Sequence, residues 1–391
     1  MILYAINFSN FCVFVRYISL ERIISTTWVL TTKMGNKRDS PPFLTSREKM
    51  ELKDIMKDNL LHFLPAKSLL KFMSVSKDWN QWIKSPLLAF QQSIHFKKLS
   101  GFFAQKQHID PTFITLDSSS SGVPMPSLAF LPEPVDILSS CSGLLACHGR
   151  DIHYICNPAN KEWTTLPPPL LYHGAAAGTI LAFEPSARNI EQSYHLICAV
   201  PILGCGDCSE LRFELYNSSS GLWRVLETTL VGMVEDLSMI GSGFYMKGVA
   251  YWLTNAGMVI AFDVERELHE VIPIDMPPPQ RISEGVLTQI GGELCYIGLR
   301  HLSGDRHEIT IHGGMELSLQ RLVEISIGEV SCRRFRVLPG FDGETVMILG
   351  EDWIYSYGIG DGVLEGKIRV GYESVSADKH LAYVNSLVEL V

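Results

Sequence analysis

Cys205-Gly-Asp-Cys208 has the C-x-x-C spacing of a zinc half-site or a redox dithiol, and "HEITIH" (307–312) comes within one residue of a metalloprotease motif. A structural zinc needs four ligands, and neither a second Cys pair nor a closely spaced His pair follows. A thioredoxin-like dithiol belongs beside a βαβ pattern, which the flanking residues lack. His307 and His312 stand in an alternating, β-prone stretch, where an odd separation sends side chains to opposite faces rather than to one metal. No G-x-S-x-G elbow, phosphate-binding glycine loop or dinucleotide fingerprint occurs, and "GIGDG" (358–362) reads as a hairpin turn. The acidic residues are dispersed, with no pair marked out for acid–base work. Carboxylates brought together only by the fold stay an open alternative. The expectation is no catalytic residue, no metal ligand and no cofactor.

The elements around these residues divide into two kinds. A chain of 391 residues, 46% hydrophobic and 19% charged, is globular and long enough for more than one unit. The net charge of −9 is uneven: residues 1–100 hold 15 Lys and Arg against 7 Asp and Glu, and the rest hold 18 against 35. A basic head on an acidic body fits a two-part protein. The body has the wrong sign for nucleic acid and the basic residues of the head are scattered, so no nucleic-acid partner is expected. Nine cysteines, odd in number and irregular in spacing, read as buried thiols of a reducing compartment, cytoplasm or nucleus, not as a disulfide scaffold. The first 33 residues are too interrupted by Asn7, Ser9, Asn10 and Arg16 for a membrane span and lack a basic start and a cleavage site. They are expected to be an upstream extension, with residues 1–45 poorly ordered and no membrane partner.

From Leu52 the apolar positions run Leu52, Ile55, Met56, Leu60, Phe63 and Leu64, steps that keep one helical face. Pro65 should end that helix. A second stripe follows at Leu69, Phe72, Val75, Trp79 and Trp82, and Pro86 should stop the second or third helix. So small a bundle is marginal alone. It is either a cap on the body or a docking unit with surplus apolar surface.

Residues 52–83 resemble the F-box: Leu52, the Leu64-Pro65 pair, the Leu69-Leu70 pair, Phe72, Val75, Ser76-Lys77, Trp79 and Ile83 match its order and spacing. The departure is Lys53, where the family has proline. The resemblance implies docking to a Skp-type adaptor and, through it, to cullin and RING subunits of a ubiquitin ligase. The adaptor contact would fall on Leu52, Ile55, Leu60, Leu64, Pro65, Leu69, Leu70, Phe72, Val75 and Trp79. Such a protein chooses the substrate and catalyses nothing itself.

From about residue 100 the chain changes to short strands. "YICNPANKEWTTLPPP", "FELYNSSSGLWRVLE" and "IAFDVERELHEVIPI" share a strand, a polar turn and a returning strand. Asn157 to Trp163, Asn217 to Trp223 and Asp263 to His269 are each six apart. Asn and Asp open such turns by bonding the backbone just ahead. A looser fourth copy is "VEISIGEVSCRRFRVLPG". Glycine-led strands precede several copies. Four strands per 40–50 residues is the layout of a propeller blade, and the length available fits six or seven blades. A pair of β-sandwiches stays open. The wider interval between the first two turns implies a loop insertion near "GCGDCSE". "SGFFAQ" (100–105), "ILSSCSGLLAC" (137–147), "GVAYWL" (248–253) and "YVNSLVEL" (383–390) resemble the F-box-associated, kelch-like domain of plant F-box proteins.

The expected architecture is therefore α+β and multidomain: a helical F-box over 46–95, then an all-β propeller-like recognition domain over 100–391. Trp163, Trp223 and Trp252 are expected in blade cores. A target protein, not identified by the sequence, is expected on loops at one end, with 170–178, 202–210 and 300–307 as candidates. The acidity of the body favours targets with a basic face. Two other readings remain: an interaction protein whose F-box no longer engages a ligase, and a propeller enzyme.

Overall fold

The computed structural model describes residues 60–390, apart from 97, 107–108, 117–122, 124–126, 175–176, 186–188, 190–191, 204–207, 234–236, 276–284, 302–306, 314–319, 328–334 and 341–344. The expectations for residues 1–45 and for Leu52, Lys53 and Ile55 lie outside the described residues. Contacts divide the chain into Met1–Leu64 and Pro65–Val391. In the first unit, Leu61–Phe63 form a single 3₁₀ turn, and Leu64 is extended, at φ −89° and ψ 148°. A residue before proline is pushed to that conformation because the proline ring clashes with helical geometry.

The second unit opens with three helices. Pro65 is the N-cap of α1 (Ala66–Phe72), where its missing N–H costs nothing. α2 (Lys77–Ile83) starts at Ser76, whose hydroxyl accepts from the Trp79 amide at 3.2 Å, with Asp78 in the first turn facing the positive end of the helix dipole. This cap splits the apolar stripe from Leu69 to Trp82 into two helices. α3 (Pro86–His95) has proline in its first turn. Pro86 thus opens a third helix where the sequence suggested a stop, because the first turn is where proline is tolerated.

The strands then build six blades. β1 (Gly101–Gln105) and β2 (Thr112–Thr115) come first. Blade 1 is β3 (Asp136–Cys141), β4 (Leu144–His148), β5 (His153–Asn157) and β6 (Glu162–Thr165). Blade 2 is β7 (Gly178–Ala182), β8 (His195–Leu203), β9 (Cys208–Asn217) and β10 (Leu222–Met233). Blade 3 is β11 (Met239–Met246), β12 (Val249–Thr254), β13 (Met258–Asp263) and β14 (Leu268–Pro273). Blade 4 is β15 (Val286–Ile290), β16 (Glu293–His301), β17 (His307–Gly313) and β18 (Gln320–Ile327). Blade 5 is β19 (Phe335–Leu338), β20 (Thr345–Gly350), β21 (Trp353–Gly358) and β22 (Leu364–Arg369). A short helix, α4 (Tyr372–Val375), leads to β23 (Lys379–Tyr383), which pairs with β1 from Gly101↔Tyr383 to Gln105↔Lys379. Among the described residues blade 6 is thus three-stranded, and it is made from both ends of the propeller sequence.

Neighbouring blades close a ring: β3 lies beside β7, β7 beside β11, β11 beside β15, β16 beside β19, β19 beside β23 and β23 beside β3. One apolar cluster fills each blade-to-blade interface. Between blades 1 and 2 sit Leu144, Ile155, Leu181 and Leu196. Between blades 2 and 3, Phe213 stacks on Phe262 at 4.7 Å and packs against Trp252. Blades buried on both faces explain why strands such as β4 and β5 are continuous apolar runs, not alternating ones. The ring of six settles the blade number and replaces the sandwich alternative.

Two kinds of turn recur. Ser142-Gly143, Lys247-Gly248 and Gly291-Gly292 all have positive φ at both residues, the type I′ geometry that matches the twist of tight hairpins. The Asx turns join third to fourth strands: the Asn157, Asn217 and Asp263 carboxyl or amide oxygens accept from the amides of Ala159 (2.9 Å), Ser219 (2.8 Å) and Glu265 (3.0 Å). Four residues on, Lys161, Gly221 and Glu267 take positive φ and donate back to Asn157, Asn217 and Asp263 carbonyls. Among the described residues a fourth turn with this backbone bond is Gly358–Gly362, the "GIGDG" hairpin. The looser copy over 323–340 is corrected: it runs from β18 of one blade into β19 of the next. The extra length of blade 2 goes into the β7–β8 connection and into long strands β8, β9 and β10, in place of a simple loop insertion. Trp223 and Trp252 are buried as expected, but Trp163, on a four-residue outermost strand, is 43% exposed.

Candidate functional site

Antiparallel order within each blade fixes two ends. Second-to-third connections and blade-to-blade crossings leave from one end, here the upper; first-to-second and third-to-fourth turns lie at the other. Thr165, Leu203 and His301, where the three candidate loops begin, all reach the upper end. Residues 204–207 and 302–306 lie outside the described residues.

At the lower end the C-terminal tail ties the helices to the ring. The buried amide of Asn157 donates to the carbonyls of Ser386 (3.1 Å) and Val388 (2.7 Å). Asn385 N–H donates to Ser100 Oγ at 3.0 Å, and Leu387 N–H to the buried Gln92 of α3 at 3.3 Å. The closing "YVNSLVEL" phrase is a strap between α3, blade 6 and blade 1.

The helical residues named from the sequence divide by exposure. Leu64, Pro65 and Leu69 are buried, Leu60, Leu70, Phe72 and Trp79 are half-buried, and Val75 is 54% exposed. Phe72 and Trp79 meet edge-on at 5.5 Å between ring centres, and Trp79 meets Trp82 at 5.9 Å. Val75 stands in the α1–α2 turn beside this aromatic pair in sequence, and Leu87 at the start of α3 is 56% exposed. Buried leucines can hold such a bundle together while its half-buried aromatics and exposed valine offer surface to a partner.

On the upper rim, the crossing from blade 1 to blade 2 is clamped. Glu214 of β9, fully buried, accepts from the Leu170 amide (2.6 Å), the Leu171 amide (3.2 Å) and His173 Nε2 (2.8 Å). Trp223 Nε1 donates to the Pro167 carbonyl at 2.7 Å. Held this way, the loop presents Leu170 at 65% and Tyr172 at 89% exposure. His148, His153 and His173 gather beneath, with ring centres 4.7 Å and 5.6 Å apart in turn. Burial, with those two neighbours adding to it, lowers the His153 pKa to about 3, so the ring is neutral and structural. Sequence reasoning pointed to this loop but missed Glu214, because a glutamate in "FELYN" reads as an ordinary solvent-facing strand position.

Titratable groups nearer the centre of the ring are consumed in joining blades. Lys379 Nζ donates to the Ile137 and Leu138 carbonyls at 3.0 Å each, and burial lowers its pKa to about 8. Arg336 donates to the Ala377 carbonyl at 2.7 Å. Burial pushes the Cys141 and Cys295 thiols up to about 11 and Cys198 up to about 12, which removes thiolate character. Cys208 begins β9, while Cys205 lies outside the described residues. Among the described residues no group of three His, Cys, Asp or Glu side chains is placed to hold a metal. His312 of "HEITIH" is buried in strand β17.

Comparison with known proteins agrees with both halves. Residues 56–91 match the F-box domain, and residues 103–297 match the F-box associated beta propeller domain. Similar proteins of Arabidopsis thaliana include the F-box protein At5g07610, 27% identical over 62% of this chain and 63% of its own length. F-box protein At5g03970 is 24% identical over 65% of this chain and 64% of its own length. The putative F-box/kelch-repeat protein At3g22730 is 28% identical over 60% of this chain and 65% of its own length. The matches thus span a little under two thirds of these relatives. The chain belongs to the plant F-box proteins that carry an F-box-associated β-propeller. No described helix is long and apolar enough to cross a membrane.

Proposed function

We propose that the chain is the substrate-recognition subunit of a Skp-cullin-F-box ubiquitin ligase. Its F-box docks a Skp-type adaptor and, through it, cullin and RING subunits; its propeller holds a target protein. It is itself non-catalytic and works in the cytoplasm, the nucleus or both. The observation that carries this reading is the strap: Gln92 of α3 and Asn157 of blade 1 grip the same C-terminal tail. We take this tie to hold the propeller, and anything bound at its upper end, at a fixed position relative to helices α1 to α3 of the same unit. Ubiquitin transfer to a bound target depends on that fixed position, because holding reactants in place is what makes the encounter effectively intramolecular.

The adaptor surface proposed comprises Leu52, Ile55, Leu60, Leu64, Pro65, Leu69, Leu70, Phe72, Val75 and Trp79, with buried Leu64, Pro65 and Leu69 shaping it and Phe72, Val75 and Trp79 touching the partner. Lys53, in place of the usual proline, favours a second reading, an interaction protein that no longer engages a ligase. Co-expression with a Skp-type adaptor separates the two: a stoichiometric complex supports the ligase reading, and a propeller that purifies alone supports the second.

A further inference from the structure

Blade 2 outgrows the other blades. β7 pairs with β8 only between His195 and Ala199, while β8 and β9 stay paired through Leu203↔Ser209, and β10, after a bulge between Val225 and Thr229, stays paired with β9 through Met233↔Cys208. About four residues per strand, roughly 14 Å, run past the inner strand at the upper end. β10 is the outermost strand of this blade. Its lower half is tied to blade 3 by Arg224 with Glu267 and by Thr228 with His269. Among the described residues only β9 pairs with its upper half, Thr229–Met233, and no strand pairs with the outer edge there.

An unpaired strand edge invites another strand, and proteins usually guard it with charge, proline or brevity. The other outer strands are guarded. β2 and β6 have four residues each, β14 carries Glu270 and ends at Pro273, β18 carries Arg321 and Glu324, and β22 carries Glu365, Lys367 and Arg369. β10 is twelve residues long, and its last six, "TTLVGM", contain no charge and no proline. Val231 is 69% exposed and Met233 47%. They share a face with Glu210, which is paired across from Val231 and takes a 3.0 Å ion pair from Arg212, and with the surface that Glu214 gives the Leu170–His173 loop.

We propose that the upper edge of β10 captures an extended, Lys- or Arg-bearing segment of the target protein as a fifth strand of blade 2. The open backbone groups supply the pairing, and Val231 and Met233 supply apolar contact to alternate side chains of the segment. The acidic body, 35 Asp and Glu against 18 Lys and Arg over residues 101–391, draws a basic segment and repels a second copy of this chain. The proposal rests on the reading of the propeller as the target-binding domain.

The test uses the full chain and a soluble nine-residue peptide, Lys-Val-Thr-Val-Lys-Val-Thr-Val-Lys, followed by fluorescence anisotropy and by amide hydrogen exchange at residues 229–233. The expected result is binding that slows exchange there. It should weaken at least tenfold when Glu replaces Lys in the peptide. One of two forms N-methylated on odd or on even residues should also lose tenfold, since strand addition uses one set of amides. A Val231→Lys/Met233→Lys variant should lose tenfold while binding a Skp-type adaptor as before. No binding of the lysine peptide, binding indifferent to the variant or to N-methylation, or equal affinity for the glutamate peptide would overturn the proposal. So would a concentration-dependent dimer abolished by the same substitutions, which would hand the edge to a second copy. Peptide binding without adaptor binding would sink the ligase reading and leave the edge as a docking site.

Discussion

Asn157 Nδ2 lies 2.7 Å from the carbonyl oxygen of Val388, so a turn residue of the first blade holds the last residues of the chain. The same side chain opens the blade's Asx turn through Ala159, reaches Ser386 at 3.1 Å and accepts from Tyr383 at 3.3 Å. One amide thereby serves the local turn, the ring closure and the strap to α3.

Asn157→Ala should remove all of these at once, leaving the Ser386 carbonyl without this donor and the Val388 carbonyl with Asn160 alone, at 3.3 Å. The expected cost is about 2–4 kcal/mol, seen as a lowered denaturant midpoint, with faster hydrogen exchange in 384–390 and in α3 but not in blades 3 and 4. Unchanged exchange in α3 would mean that the strap does not couple helices to ring.

Two glycines with positive φ separate strain from packing. A Cβ on Gly143 would sit 2.0 Å from Ser386 Oγ, whereas one on Gly221 would meet nothing within 4 Å. Gly221→Ala should therefore cost about 1 kcal/mol for its backbone conformation alone. Gly143→Ala should cost clearly more and loosen the strap. Equal midpoints for the two variants would contradict this packing of the tail.

Stability should fall on acidification between about pH 6.5 and pH 3. Burial lowers the His153 pKa to about 3 and, helped by Arg336 against a hydrogen bond to Ser374, lowers the His380 pKa to about 4. In the unfolded chain both protonate near pH 6.5. The unfolded state therefore binds more protons in that window, so stability is fully present above about pH 6.5 and is lost as pH falls. The combined contribution is on the order of a few kcal/mol. His380→Gln should flatten part of the acid limb in a midpoint-against-pH series; an unchanged slope would show that His380 is not held neutral.

Glu214→Ala should release the Leu170–His173 loop without unfolding the ring. The measurable outcome is faster amide exchange at Leu170 and Leu171, whose N–H groups lose their acceptor. Glu214→Gln should keep part of the protection because one oxygen still accepts.

Much of this fold was legible because local physics repeats. Asn157, Asn217 and Asp263 announce the same turn by bonding the backbone just ahead, and the type I′ glycines announce the tight hairpins. The fourth turn was hidden because Gly358 replaces the Asx residue at its first position and Asp361, three residues on, caps Val363 in its stead. Blade number was hidden because blade 6 joins β23 to β1 across the whole propeller, a pairing that no local period records. Trp163 misled because an aromatic after a turn packs inward only where another strand or blade covers it. In the helices, spacing placed the apolar residues, but only packing separated buried Leu69 from exposed Val75. Glu214 left no signal, since its partners are two backbone amides and the His173 ring some forty residues earlier.

The measurement that bears most directly on the ligase reading is the affinity of the full chain for a Skp-type adaptor, beside Phe72→Ala and Val75→Glu variants shown to be folded. Val75 is exposed and Phe72 half-buried, so both can be changed at less risk to the bundle than Leu64 or Leu69, whose truncation would cost about 2–5 kcal/mol of stability. The account predicts tight binding that falls at least tenfold in each variant, as interface anchors typically lose ~2 kcal/mol or more when removed. No binding by the unaltered chain, or binding indifferent to both changes, would contradict it.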